Sequence, residues 1–191
     1  MSPMTEHRPL NTAHLPLKLR VEDYLALDRE GAFASYEKTE LIAGEILFMN
    51  AQHRPHALAK MELYDALRDA LSGKEHVRPL TEATVAIPPD SAPEPDIVVT
   101  SEPHGDGPIP VASVALIVEV SDATLPIDLN EKRLLYAKAR IAEYCVVDLG
   151  TRLLHRFADP ASGDFACCEQ LAFGQPIETV SLGITVDTTR L

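Results

Sequence analysis

The 191-residue sequence contains no tryptophan, few aromatic residues and only three cysteines, and it has no long apolar segment. Its longest apolar run extends from Val111 to Val120 and is interrupted by Ser113 and Glu119. A membrane-spanning helix needs roughly 20 consecutive apolar residues. The sequence therefore excludes a membrane-spanning helix of ordinary length.

The cysteines are odd in number and two of them are adjacent, so they define no recognisable disulfide framework: Cys145, Cys167 and Cys168. No Cys-x-x-Cys spacing or adjacent base indicates that Cys167 and Cys168 are redox-active. The first twenty residues lack the apolar block and small-residue cleavage site of a secretory signal. We therefore expect a cytoplasmic protein, because a reducing compartment keeps thiols free.

Basic residues are scarce, with 17 Lys and Arg against 29 Asp and Glu and a net charge of −12. Nucleic-acid-binding proteins usually present a basic surface, because phosphate contacts dominate their affinity. The charge counts against tight DNA binding, although carboxylates that hold a cation would have their charge offset. One basic cluster stands out, and a DNA-facing surface would be expected to include it: Lys132, Arg133, Lys138 and Arg140.

The length and the composition, 46% hydrophobic and 24% charged residues, are typical of one globular domain. Residues 1–18 contain three prolines and are predicted to form a flexible arm, which leaves residues 19–191 as a single domain. Apolar periodicity and turn residues predict the following helices: Val21–Leu27, His56–Leu71 and Asp128–Arg140. They predict a hairpin over Thr39–Phe48 and these strands: Thr81–Ile87, Asp96–Thr100, Val111–Val120, Glu143–Asp148 and Arg152–Phe157.

This order of elements indicates an α/β or α+β domain with a mixed sheet and helices packed against it. The run ending at Val120 is apolar throughout, which is typical of a strand buried on both faces. Glu119 lies inside that run, and a buried carboxylate must be paired, protonated or bound to a metal. Alternatively, Glu119 ends the strand at the rim of the sheet and faces water.

Asp96 opens a second apolar strand directly after Pro95. A lone Pro-Asp pair is commonly a turn at the start of a strand, but Asp96 and Glu119 would each place a carboxylate near one end of the sheet. Such oxygen ligands suit Mg²⁺ or Mn²⁺, which bind one or two carboxylates together with water and phosphate. Lys132 lies one helical turn beyond Asp128 and could reach the same place, or it could simply be solvated.

Several short segments resemble, in order, the large bacterial Uma-type family of restriction-endonuclease-like proteins within the PD-(D/E)XK nuclease superfamily. The segments are Glu40–Glu45, Pro95–Val99, Ile117–Ser121, Asp128–Lys132 and Glu143–Asp148. The resemblance extends from about Val21 to Phe157. It implies a restriction-endonuclease-like fold, a central mixed sheet flanked by helices with a metal site at one edge, and it also implies a homodimer.

The resemblance implies that Asp96 and Glu119 are the metal ligands and that Glu40 lies beside the metal. The lysine that normally stands two residues after the Glu is replaced here by Ser121, and Lys132 would supply it from the helix. His56 and Asp128 match residues that open the first and second core helices. Two further departures are Cys145, where the family usually has tryptophan, and Ala43, where it has a turn aspartate.

Other chemistries are less well supported by the sequence. His53 and His56 are three residues apart, but a structural zinc site needs four ligands and no second pair completes one. There is no phosphate-binding glycine loop and no Gly-x-Ser-x-Gly elbow. The leading hypothesis is a Mg²⁺- or Mn²⁺-dependent endonuclease, a hydrolase acting on DNA. The alternatives are a catalytically silent binding module with the nuclease fold and a hydrolase of small phosphorylated molecules.

Overall fold

The computed structural model describes residues 17–36, 38–49 and 51–191. Residues 1–16, which make up most of the predicted arm, lie outside the described residues. Within the described part of the chain, no helix is long and apolar enough to cross a membrane.

Among the described residues, the first half of the chain contains two helices and six short strands: α1 (Val21–Arg29), β1 (Thr39–Ile42), β2 (Glu45–Phe48), α2 (Arg54–Ala70), β3 (Arg78–Thr81), β4 (Val85–Ala86), β5 (Ile97–Thr100) and β6 (Ile109–Pro110). The second half continues with β7 (Val114–Ser121), α3 (Leu125–Ile127), a π-helical turn (Asp128–Lys132), α4 (Arg133–Lys138), β8 (Glu143–Asp148), β9 (Leu153–Ala161), β10 (Asp164–Ala172), β11 (Ile177–Thr179) and β12 (Ile184–Val186).

Six strands form the central sheet in the order β10-β9-β8-β7-β5-β3. Strands β7 and β8 are parallel, whereas the other neighbours are antiparallel. The predicted mixed sheet is therefore confirmed. The apolar strand β7 is central, and its residues from Leu116 to Ser121 are all buried, as expected for a strand covered on both faces.

Two apolar layers cover the sheet. On one face, Ala59, Leu63 and Leu67 of α2 pack on alternate residues of the strands, together with the β11–β12 hairpin. On the other face, α4 contributes Tyr136 and Ala137 to a cluster that includes the stacked aromatic rings of β8, β9 and β10. The alternation along β7 assigns Val118 and Val120 to the α2 layer and Ile117 to the α4 layer, so Glu119 lies on the α4 side.

The β1–β2 hairpin carries Glu40 to the end of the sheet. Its turn consists of Ala43 and Gly44, both with positive φ, and Leu19 N–H donates to the Gly44 carbonyl at 3.1 Å. A Cβ at Gly44 would meet the Lys18 side chain, so this position requires glycine. Leu41 exchanges backbone hydrogen bonds with Ala92, which fixes the hairpin beside the start of β5.

The predicted Thr81–Ile87 strand is wrong. Strand β3 ends at Thr81 because Glu82 adopts a left-handed conformation, with φ 52°, and β4 pairs instead with β6. The predicted Asp128–Arg140 helix begins earlier, at Leu125, and ends at Lys138, just before Arg140 turns left-handed. The other predicted helices and strands of the central sheet are present, with shifts of a few residues at their ends.

Candidate active site

Asp96 and Glu119 lie side by side at one end of the central sheet. Strands β5 and β7 are antiparallel with Ile97 opposite Val118, so the start of one strand meets the end of the other. The Asp96 N–H lies 3.4 Å from Glu119 Oε2, and the Val120 N–H donates to Asp96 Oδ2 at 2.8 Å. Both side chains are buried. The alternative in which Glu119 ends the strand and faces water is therefore excluded.

Lys132 lies beneath this pair and is itself buried, with only 2% of its side chain exposed. Its Nζ is 2.9 Å from Glu119 Oε1, 2.9 Å from Glu40 Oε2 and 3.8 Å from Asp128 Oδ1. The sequence left open whether Lys132 is solvated or reaches the strand end, and the structure brings it to the strand end. Three carboxylates thus share one ammonium group.

The π-helical turn explains how one short helix directs several side chains to the same place. Four residues exceed one α-helical turn by about 40°, and the wider π turn reduces this rotation between Asp128 and Lys132. Tyr136 follows Lys132 by four residues within α4, which keeps it on the same side of the helix. Asp128 accepts a hydrogen bond from Ser121 Oγ at 2.7 Å. Ser121 occupies the position where PD-(D/E)XK nucleases normally have a lysine. Its hydroxyl therefore holds the side chain of Asp128 in place.

Tyr136 and the hairpin complete the surroundings of the buried charges. The Tyr136 hydroxyl donates to Glu119 Oε1 at 3.0 Å, so this oxygen receives both a hydroxyl and an ammonium donor. Glu40 Oε1 accepts hydrogen bonds from the Glu94 N–H at 2.9 Å and from Lys132 Nζ at 3.2 Å, and its Oε2 lies 2.9 Å from the same ammonium group. Tyr136 has no exposed surface. Its contact with Glu119 was not predicted, because a tyrosine at helical spacing is typical of a core residue.

The beginning of α2 lies over Asp96 from the outer side. His56 Nε2 is 3.2 Å from Asp96 Oδ2, and Gln52 Nε2 donates to Asp96 Oδ1 at 3.2 Å. Lys60 Nζ lies 3.7 Å from Asp96 Oδ1 and 2.7 Å from Glu82 Oε1. The sequence predicted His56 here but missed Gln52 and Lys60. Lys60 follows His56 by four residues on the same helix, a spacing that could have indicated it.

The charges shift the pKa values in opposite directions within the site. Burial, together with the neighbouring carboxylates of Asp128, Glu40 and Asp96, raises the pKa of Glu119 to about 8 despite the lowering effect of Lys132. Burial opposes the charge of Lys132, but Glu119, Glu40 and Asp128 outweigh it and raise its pKa. Burial also opposes ionisation of Asp96, yet contact with His56 lowers its pKa. The site holds more negative charge than its buried lysine neutralises.

Other residues singled out in the sequence lie elsewhere. His53 immediately precedes α2 and is exposed, and within the described residues no group of three or more His, Cys, Asp or Glu side chains could hold a metal. Cys145 is buried, and burial raises its thiol pKa to about 12. The predicted basic surface does not form as expected, since Lys132 is buried and Arg133 pairs with Asp164 at 3.1 Å.

Comparison with known proteins supports the resemblance seen in the sequence. The model of the Uma-type family, described as "Putative restriction endonuclease", matches residues 21–188. A crystal structure described as that of a putative nuclease belonging to DUF820 from Anabaena variabilis is similar, with a TM-score of 0.66. The match is 15% identical in sequence and covers 86% of this chain and 91% of that chain. A search of curated proteins finds no match.

The structural match establishes the restriction-endonuclease-like fold that the resemblance implies. The region that matches the family model begins with α1 and ends just after β12. It includes every side chain of the buried site. The chain therefore belongs to the Uma-type family of restriction-endonuclease-like proteins.

Proposed function

We propose that this protein is a Mg²⁺- or Mn²⁺-dependent endonuclease that hydrolyses phosphodiester bonds of DNA. The observation that carries the proposal is the adjacent pair of buried carboxylates, Asp96 and Glu119, at the end of two neighbouring strands. The family description and the nuclease assignment of the similar crystal structure support a nuclease. Beyond a nuclease, we propose that the activity depends on a divalent metal and that the substrate is DNA.

The donor set fits a hard divalent cation better than zinc. The side chains are carboxylates, and Mg²⁺ typically binds one or two carboxylates and completes its shell with water and phosphate oxygens. A site of two ligands also agrees with the absence of a larger ligand cluster among the described residues. The raised pKa of Glu119, caused first by burial and then by its acidic neighbours, indicates negative charge that a cation would offset.

In the proposed site, Asp96 and Glu119 would hold the cation. When bound, the cation would supply an activated water and offset the charge that develops on the phosphate. Glu40 would act beside the pair through the ammonium group that it shares with Glu119. The chain's own contribution is a buried carboxylate frame in which Asp96 and Glu119 are oriented by hydrogen bonds from Val120, Lys132 and Tyr136.

Lys132 and Tyr136 set the orientation of Glu119. Both donate to its Oε1, which leaves Oε2 directed towards the backbone of Asp96. We also propose that Lys132 orients the attacking water. Its contacts support a positioning role, because all its nearest partners are carboxylates of the site. Asp128 would help to hold Lys132 through its carboxylate, and Ser121 would hold Asp128 through its hydroxyl.

The catalytically silent binding module remains a second candidate because of one observation. Both oxygens of Asp96 already receive protein donors, from Val120 and His56 on Oδ2 and from Gln52 on Oδ1. A metal at Asp96 would compete with these side-chain donors for the lone pairs of the carboxylate. If the donors prevail, the fold would bind a partner without chemistry.

The experiment is cleavage of supercoiled plasmid and single-stranded DNA with Mg²⁺ or Mn²⁺, with labelled RNA as a parallel substrate. We expect the wild-type protein to cleave DNA, and Asp96→Asn and Glu119→Gln to lose cleavage while keeping their folded spectra. The exposed Glu75→Gln serves as the matched control and should cleave like the wild type. Equal activity in all four proteins would reject the site, and cleavage of RNA alone would reject the DNA substrate.

A further inference from the structure

Two lysines approach the carboxylates of the site, and their surroundings differ. Lys132 is only 2% exposed, and its ammonium group lies among Glu40, Glu119 and Asp128. Lys60 lies at the outer side of Asp96, with 13% of its side chain exposed. Lys132 would have to leave three buried carboxylates to meet a ligand from solution. Removing a partner from a buried ion pair is strongly destabilising, so Lys132 is fixed in place.

The partners of Lys60 can move away far more easily. Its Nζ lies 2.7 Å from Glu82 Oε1 and 2.7 Å from Gln52 Oε1. The Glu82 side chain is 47% exposed, and Gln52 is exposed. Ion pairs with an exposed partner are weak, and both side chains can exchange Lys60 for water. Of the two lysines that contact the carboxylates of the site, Lys60 is therefore the one that is available to a ligand.

A substrate phosphate faces an electrostatic obstacle at this site. The site contains four buried carboxylates: Glu40, Asp96, Glu119 and Asp128. The protein as a whole is also strongly acidic. An anion that approaches Asp96 needs a cationic or donor group on the accessible side. The first turns of α2 and the residue two positions before it supply such groups at intervals of four residues: Gln52, His56 and Lys60.

His56 adds an independent indication that this face receives a ligand. Its Nε2 contacts Asp96, while its Nδ1 is buried and has no hydrogen-bond partner among the described residues. Buried polar atoms are normally satisfied, so an orphan atom needs an explanation. Gln52 uses its amide to link Lys60 with Asp96. Its side chain is exposed, so these two hydrogen bonds can exchange with solvent or a ligand.

We propose that Lys60 is the residue that binds the DNA phosphate beside Asp96, an inference that rests on the proposed function. In the free protein, Glu82 holds the ammonium group of Lys60 at the site. On binding, the ammonium group leaves Glu82 Oε1 and donates to a non-bridging oxygen of the phosphate. Glu82 is then a competitor of the substrate phosphate, and Lys132 remains with its carboxylates.

The test measures equilibrium binding of a short fluorescent DNA duplex, with Ca²⁺ present, over a series of salt concentrations. Each phosphate that a lysine neutralises contributes about −0.9 to the slope of log affinity against log salt. Lys60→Gln should weaken binding several-fold and reduce this slope by about one. Lys60→Arg should retain binding. Lys74→Gln removes an equal charge from an exposed position beyond the other end of α2 and should leave the slope unchanged.

A second arm separates substrate binding from a merely structural role. Glu82→Gln should tighten binding because Lys60 is released, and the same change in a Lys60→Gln background should leave the affinity unchanged. Glu75→Gln controls for the loss of one negative charge, and melting curves confirm that each variant folds. A structural role predicts instead that Glu82→Gln lowers stability without tightening binding.

The outcomes distinguish this inference from the proposed function. If the wild type binds and cleaves DNA but Lys60→Gln has the wild-type affinity and salt slope, the role of Lys60 is overturned and the nuclease proposal stands. If Glu82→Gln tightens binding equally with and without Lys60, the competition is overturned. If the wild type neither binds nor cleaves DNA, the nuclease proposal fails and the role of Lys60 fails with it.

Discussion

Glu40 and Lys132 are 92 residues apart in the sequence, yet Glu40 Oε2 lies 2.9 Å from Lys132 Nζ. Glu40 arrives on the N-terminal hairpin, and Lys132 arrives on the helical segment that follows β7. Both side chains are buried, and the same ammonium group contacts Glu119. This ion pair therefore joins the hairpin, the central strand and the helix at one point.

Removal of Lys132 should strongly destabilise the fold. Lys132→Met keeps the apolar stem but leaves Glu40, Glu119 and Asp128 without their shared counter-charge, and such a change typically costs about 3–5 kcal/mol. Urea unfolding at neutral pH measures the loss. Lys138→Met on the same helical segment is the control, because Lys138 is exposed and should change stability by less than about 0.5 kcal/mol. Equal losses in the two variants would contradict the shared ion pair.

The Tyr136 hydroxyl should affect the affinity for the cation as well as the stability of the fold. Tyr136→Phe removes the donor to Glu119 Oε1 and should lower stability by about 1–3 kcal/mol. Tyr144→Phe is a matched control, because that buried hydroxyl donates to the Asp128 carbonyl at 3.1 Å. We expect Mn²⁺ affinity to fall several-fold in Tyr136→Phe and to stay unchanged in Tyr144→Phe. Affinities that fall equally would show that Tyr136 does not position Glu119.

The turn between β8 and β9 should give the protein part of its stability at neutral pH. Burial opposes ionisation of Asp148, but hydrogen bonds from Thr151 and Gly150 outweigh it and lower its pKa below 3.8. A lowered pKa stabilises the fold above the ordinary value, and this contribution is lost as the pH falls through the folded-state value. Asp148→Ala should therefore cost about 1–3 kcal/mol at pH 7 and progressively less below about pH 4.

Chemical unfolding of Asp148→Ala and the wild type at pH 7 and pH 3 measures this effect. Asp106→Ala in the exposed loop before β6 is the control, because Asp106 is exposed. A difference between wild type and Asp148→Ala that stays constant across the pH range would contradict the contribution of these hydrogen bonds.

The sequence predicted the centre of the fold because burial leaves a clear pattern there. The apolar run through β7 predicted a central strand, and the carboxylate inside it identified Glu119 as exceptional. The strand predicted over Thr81–Ile87 failed because Glu82 takes a left-handed conformation, for which the sequence offers no glycine. The π-helical turn was also missed, since an extra residue in a helical turn leaves no periodic signal over so short a segment.

Some residues of the candidate site could be predicted from the sequence and others could not, for physical reasons. Glu40 and His56 were identified through the family resemblance, because their contacts with Lys132 and Asp96 are long-range and no local spacing reveals them. Lys132 was first suggested by its spacing from Asp128, and the resemblance then supported it. Lys60 looks like an ordinary polar residue of an amphipathic helix until its distance to Asp96 is known. The catalytic roles of all these residues, and the homodimer that the resemblance implies, stay predictions.

The central claim is that Asp96 and Glu119 hold a divalent cation, and calorimetric titration with Mn²⁺ tests it most directly. The account predicts saturable binding by the wild type and by Glu75→Gln, and loss of that binding in Asp96→Asn and Glu119→Gln. Absence of binding by the wild type at millimolar Mn²⁺, or unchanged binding in both site variants, would contradict the claim.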